Sequence, residues 1–131
     1  MRRALGAMGI VAALAGGAAP AMGQTFGSPT HFTEQGGATI YGGICAACHM
    51  PDGRGAEGAG RYPSLAHDTR LQAPGYPVAL ILRGQRDMPS FAFTLTDQQV
   101  ADVVAYLQTH FGNAYADAPT AADVKRERPS P

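Results

Sequence analysis

The sequence predicts an all-α domain of three to four helices joined by long loops, and three observations carry that expectation. Thr96-Asp97-Gln98-Gln99 is a capping box, and Val100, Val103, Val104, Leu107 and Phe111 follow it at helical spacing. Residues 50–75 are broken by Pro51, Gly53, Gly55, Gly58, Gly60, Pro63 and Pro74, too often for a long regular element. No segment alternates apolar and polar residues as a half-buried strand does.

In chain order, residues 1–23 read as a secretory leader. Arg2 and Arg3 precede a small-residue apolar stretch from Ala4 to Ala19, and Ala19, Ala21 and Gly23 frame two cleavage sites. The apolar run is shorter than the ~20 residues that span a bilayer, so no stable membrane span is expected once the leader is gone. Ala4-Leu5 is a poor continuation of a twin-arginine signal, and ordinary unfolded export is expected. The leader ends without a cysteine, which argues against a lipid-modified N-terminus.

Residues 24–33 are expected to form a flexible arm rich in Gly, Ser, Thr and Pro, ahead of a folded domain over 34–113. Thr33 is a candidate cap for a helix running to about Cys48. Gly36, Gly37, Gly42 and Gly43 weaken that helix, and so much glycine implies that another backbone approaches closely. A structureless loop as long as 50–75 in a small domain usually wraps something. Pro77 sits at a second helix start, Val78–Leu82 are apolar, and Gly84 can stop the helix. The loop Gln85–Leu95 carries Met88 and Pro89, the capped helix follows, and Gly112-Asn113 ends it. Residues 114–131, rich in Ala, Pro and charge, are expected to be a flexible tail, ordered at most on a partner.

Basic and acidic residues balance at ten each, and losing Arg2 and Arg3 leaves eight basic residues against ten acidic. Outside Lys125-Arg126-Glu127-Arg128 there is no basic run, so nucleic acid is not an expected partner. A mature domain of about 100 residues buries a modest core and is often helped by a disulfide, metal or cofactor.

Cys45-Ala46-Ala47-Cys48-His49 decides among these. Positions i, i+3 and i+4 share one helix face. Cys45 and Cys48 can therefore reach two vinyl groups along one porphyrin edge, with His49 rising to the iron, in the spacing of c-type haem attachment. The two alanines leave room for the ring edge. A dithiol redox motif is the first alternative, but it wants a βαβ context that is absent. Zinc is the second, and it needs further ligands at Cys/His spacing that the sequence lacks.

A second iron ligand must come from the opposite face. After the leader only Met50 and Met88 remain. Met50 adjoins His49 and is tied to its side, whereas Met88 lies in a loop able to fold over the far face. A thioether there favours reduced iron and raises the potential. The rival readings are Met88 as core filler and His31, His67 or His110 as the ligand, His67 foremost because it lies in the wrapping loop. Arg61, Arg83 and Arg86 are candidates for pairing with a haem propionate, against the plainer reading of solvated surface charges.

At this point the chain resembles the class I cytochromes c, and within them the monohaem cytochrome domains and subunits of periplasmic dehydrogenases. The resemblance spans about residues 35–113. It rests on Gly37…Tyr41…Cys45-Ala46-Ala47-Cys48-His49, Tyr62-Pro63-Ser64-Leu65, Leu82-Arg83-Gly84, Met88-Pro89-Ser90-Phe91 and Leu95–Asn113. It implies a cytochrome c fold wrapped around one covalent haem c. It also implies that Gly37 on the first helix meets Tyr106 on the last, and that the Pro63 carbonyl accepts a hydrogen bond from His49 and orients it. Pro89 would stiffen the ligand loop. Larger relatives carry this domain fused to a catalytic one. These 131 residues hold no such domain, so any dehydrogenase is expected to be a separate polypeptide.

The expected function is that of a single-haem periplasmic electron carrier without catalysis of its own. It would take electrons from an exported dehydrogenase or reductase and pass them to an oxidase or another cytochrome. Two alternatives stand beside it. One is a small haem enzyme or gas sensor with a vacant or displaceable distal position. The other is a permanently bound cytochrome subunit whose tail docks on a larger enzyme.

Overall fold

A computed structural model of the chain describes residues 31–58 and 60–130. The leader and most of the arm therefore lie outside the described residues. The elements are α1 (Gly37–Ile40), a π-helical turn (Tyr41–Cys45), α2 (Ala46–His49), a two-stranded antiparallel ladder of β1 (Ala56–Glu57) and β2 (Arg61–Tyr62), a 3-10 turn (Thr69–Gln72), α3 (Gly75–Arg83), α4 (Asp97–Thr109) and α5 (Ala121–Glu127). Among the described residues helices dominate, and the small ladder inside the wrapping loop and an isolated Gln85–Met88 bridge depart from an all-helical reading. Two residues per strand are too few to write an alternation into a sequence.

The first rod, residues 37–49, begins later than Thr33 suggests. Gly36, with φ 78°, breaks the backbone just ahead of it. Its mid-section closes π-type bonds, one residue more than a regular turn. One extra residue rotates the downstream turn by about 100° round the axis. Gly37, Ile40 and Tyr41 thus face α4, while Cys48 and His49 face the loop side.

The crossing of this rod with α4 is the organising contact. A methyl on Gly37 would collide with the carbonyl of Asp102 and the Cβ of Tyr106. The expected glycine–aromatic pair therefore meets, and the absent side chain is what lets the two backbones approach. Helix α4 has the capping box in full, Thr96 accepting from Gln99 N and Gln99 reaching back to Thr96 N. Val100, Val103, Val104 and Leu107 are buried in one core with Ile40, Val78 and Leu82.

Helix α3 starts at Gly75, with Pro77 in its first turn, and ends at Gly84 as expected. The end of the arm is pinned: Phe32 N donates to Thr94 O at 3.1 Å, and Gln99 Nε2 donates to Phe32 O and Glu34 O at 2.9 and 2.8 Å.

The expectation of a flexible tail over 114–131 is corrected by the structure. Thr120 and Asp123 form a second capping box, and residues 121–127 are helical. Val124 is fully buried among the core side chains. One buried valine on a capped helix is enough to dock it, yet a single large apolar residue in seven leaves no periodic stripe to read. No described helix is long and apolar enough to cross a membrane.

Candidate functional site

A cavity of about 960 Å³ opens between the first rod, the wrapping loop, α3 and the Met88 loop. It is at the upper end for small-molecule and cofactor sites. Cys45, Cys48, His49, Pro63 and Met88 all line it, so the expected thioether, ligand and ligand-orienting residues are brought to one place. Its remaining wall is largely aliphatic and aromatic, with Leu65, Leu71, Ile81, Phe91 and Leu107 prominent.

The local folding behind His49 can be followed residue by residue. Helix α2 stops at Met50, whose φ of 64° with ψ of 154° is a conformation almost reserved for glycine and costs roughly 1–3 kcal/mol. Tyr41 offsets this: its hydroxyl donates to Met50 O at 2.7 Å. The chain then turns back so that Gly55 N donates to His49 O at 3.0 Å. Gly55, with φ 68°, lies against the carbonyl of Tyr62 and that of Pro63, where any side chain would collide. That close approach delivers the Pro63 carbonyl to His49 Nδ1 at 2.9 Å.

A carbonyl can only accept, so Nδ1 donates its proton and Nε2 is the nitrogen left to meet a metal. The ring is thereby fixed in the tautomer and orientation a metal requires. No disulfide joins the two cysteines; Cys45 is half-buried and Cys48 exposed. Burial, with the Cys48 sulfur adding to it, pushes the Cys45 thiol up to about 11. Dithiol redox catalysis needs a lowered value, which the burial of Cys45 opposes. Taken together, an apolar cavity, two cysteine sulfurs on one helix face and a pre-oriented imidazole fit a haem c.

On the far wall, Met88 is held by a tight turn, with reciprocal Gln85–Met88 backbone bonds of 3.0 Å each. Among the rival histidines, none lines the cavity. His67 packs its ring against Gly112, and His110 stacks on Tyr106 with ring centroids 3.8 Å apart. His31 lies in a separate shallow groove beside Phe93 and Arg128.

The arginines divide. Arg61 and Arg86 line the cavity, whereas Arg83 instead pairs with Glu127 at 3.4 Å, away from it. Sequence reasoning missed Arg54 and Arg70, which also line it. Arg70 is fixed by Asp68 at 2.8 Å and reaches the Tyr76 hydroxyl at 3.5 Å. Burial opposes the Asp68 charge, but the hydrogen bonds and charge of Arg70 win, and its carboxyl is held below the usual carboxylate range. The Asp68…Arg70 spacing was the available clue. Asn113, read only as a helix stop, clamps the wrapping loop to α4: its amide donates to Leu65 O and Leu107 O and its oxygen accepts from Asp68 N, all within 2.9 Å.

Residues 33–107 match the family model described as cytochrome c oxidase, cbb3-type, subunit III. The chain is similar to the fructose dehydrogenase cytochrome subunit of Gluconobacter japonicus, with 38% identity over 95 residues, covering 61% of this chain and 19% of that protein. It is also similar to the gluconate 2-dehydrogenase cytochrome c subunit of Pantoea cypripedii, with 35% identity over 109 residues, 70% of this chain and 23% of that one. This chain thus spans about a fifth of the length of those two subunits. Cytochrome c6 of Parathermosynechococcus lividus is 31% identical over 81 residues, 61% of this chain but 93% of that protein. The chain therefore belongs to the cytochrome c family, as an electron-transfer protein with covalently bound haem c.

Proposed function

We propose that Cys45 and Cys48 anchor the haem as thioethers, that His49 Nε2 ligates its iron, and that Met88 closes the opposite side. The haem supplies a site that gains and loses one electron; the chain supplies everything that makes this selective. The bond from His49 Nδ1 to the Pro63 carbonyl carries the reading, because it leaves a single imidazole nitrogen directed to a metal from the thiol-bearing face. With His49 and Met88 both holding the iron, the chain would exclude small ligands and leave the haem to outer-sphere electron transfer. Burial and the thioether ligand set the potential.

An exported dehydrogenase or reductase is the proposed donor, and an oxidase or another cytochrome the acceptor, with the periplasm as the compartment. The names of the dehydrogenase cytochrome subunits support the first of these. Permanent attachment through a free tail loses its support, since residues 121–128 are used within the fold.

The test is optical. Oxidised holoprotein is expected to show the far-red sulfur-to-iron band and to resist carbon monoxide when reduced at neutral pH. Met88→Ala is expected to lose the band and bind carbon monoxide. Avid binding of carbon monoxide by the unaltered protein, without the band, would instead establish the gas-sensor or haem-enzyme alternative.

A further inference from the structure

The segment after α5 touches the ligand loop from outside the cavity. Arg128 donates through Nε to Asp97 at 2.6 Å, through Nη2 to Leu95 O at 3.0 Å, and through Nη1 to Ala92 O. Ala92 and Leu95 are both buried, at 3% and 4% exposure, and among the described residues neither carbonyl accepts from a backbone N–H. Buried carbonyls need a donor, and here a single guanidinium serves both.

These carbonyls belong to the loop that begins at Met88. Its near end is fixed to α3, with Phe91 N donating to Ile81 O at 2.9 Å and the Ser90 hydroxyl to Leu82 O at 2.5 Å. Its far end is held by Arg128, and Arg128 is held in turn by the docking of Val124 and by Asp97 at the start of α4. The two ends of the loop are thus tied by separate devices.

We propose that Arg128 is a positioning residue for Met88: by closing the far end of the loop, it keeps the thioether over the cavity and excludes competing ligands. This rests on the reading of Met88 as the distal ligand. A guanidinium is suited to the task because its planar fork donates in several fixed directions at once, which a lysine cannot reproduce.

An external ligand enters only from the fraction of molecules whose loop is open, so its apparent affinity scales with that fraction. The experiment uses oxidised holoprotein, with imidazole as the probe, titrated optically in the parent, R128A, R128K and R126A. Arg126 lies on α5 itself and, among the described residues, its side chain bonds Asp123 and Ala122, neither of them in the ligand loop. R128A is expected to bind imidazole roughly tenfold more tightly and to lose part of the far-red band. R128K is expected to lie between, and R126A to match the parent.

Parental affinity and band in R128A overturn the proposal, as does a lower melting temperature with unchanged imidazole affinity. Should R128A fail to fold, R128K and Asp97→Asn decide by the same criteria. A parent protein without the band brings down the Met88 reading and this proposal together. A parent with the band and an unaffected R128A brings down only the brace.

Discussion

At the scale of single residues, the site depends on side chains that hold backbone in costly shapes. Tyr41 is the clearest. Its hydroxyl bonds the carbonyl of Met50, the residue in the glycine-like conformation that ends α2. Tyr41→Phe is expected to cost about 1 kcal/mol of unfolding free energy, the usual worth of one such bond, in denaturant titration of the holoprotein. Burial also pushes the Tyr41 phenol up to about 12. A group whose value rises on folding stabilises the fold fully below its unfolded value, near 10, and loses that contribution as pH climbs toward 12. The parent is therefore expected to lose stability across that alkaline window, and Tyr41→Phe to show a shallower decline. A decline of identical slope in both would show that Tyr41 has no part in it.

Much at this scale was legible in advance. Cys45, Cys48, His49, Pro63 and Met88 do converge on one cavity. Short motifs write such geometry directly, through i, i+3, i+4 spacing and a proline that fixes its own backbone. Arg70 was announced only by its spacing to Asp68. Asn113 was not legible as a clamp: its amide reaches carbonyls 6 and 48 positions away, and no local pattern distinguishes a clamping asparagine from one that merely ends a helix.

Among the elements, the crossing of the first rod with α4 depends on the missing side chain at Gly37. Gly37→Val is expected to force the helices apart and destabilise by roughly 1–3 kcal/mol, read as a lowered denaturant midpoint. The glycine-rich first helix announced this contact, because glycine weakens a helix unless something uses the space. Helix α5 announced nothing. Its capping box, Thr120 with Asp123, was present in the sequence, but a single buried valine cannot generate a hydrophobic period. Truncation after Ala118 removes that valine from the core and is expected to cost at least the ~1.5–3 kcal/mol of its burial. Thermal melting that is unchanged by the truncation would return residues 119–131 to the status of a free tail.

For the whole molecule, the cofactor is part of the core. Leu65 and Phe91 border the cavity and are only partly buried by the chain itself, so without an occupant they would face water instead of apolar surface. A domain this small gains much of its stability from such an occupant. Replacing Cys45 and Cys48 by alanine is expected to leave a chain with reduced helix content and a broadened thermal transition, followed by far-UV circular dichroism. This scale was half legible. The long glycine- and proline-rich loop signalled that something is wrapped, and the haem motif said what. The β1–β2 ladder and the π-helical turn carry no sequence pattern, since each spans only a few residues whose geometry is set by tertiary contacts.

The central claim is that one helical turn fixes the porphyrin through two sulfurs while an imidazole from the same turn meets the iron. Mass spectrometry of the holoprotein, denatured and washed in acidified organic solvent, tests it most directly. The expected result is a polypeptide heavier by one haem, with the added mass on the peptide that contains Cys45 and Cys48. A colourless chain with the mass of the polypeptide alone would contradict the account.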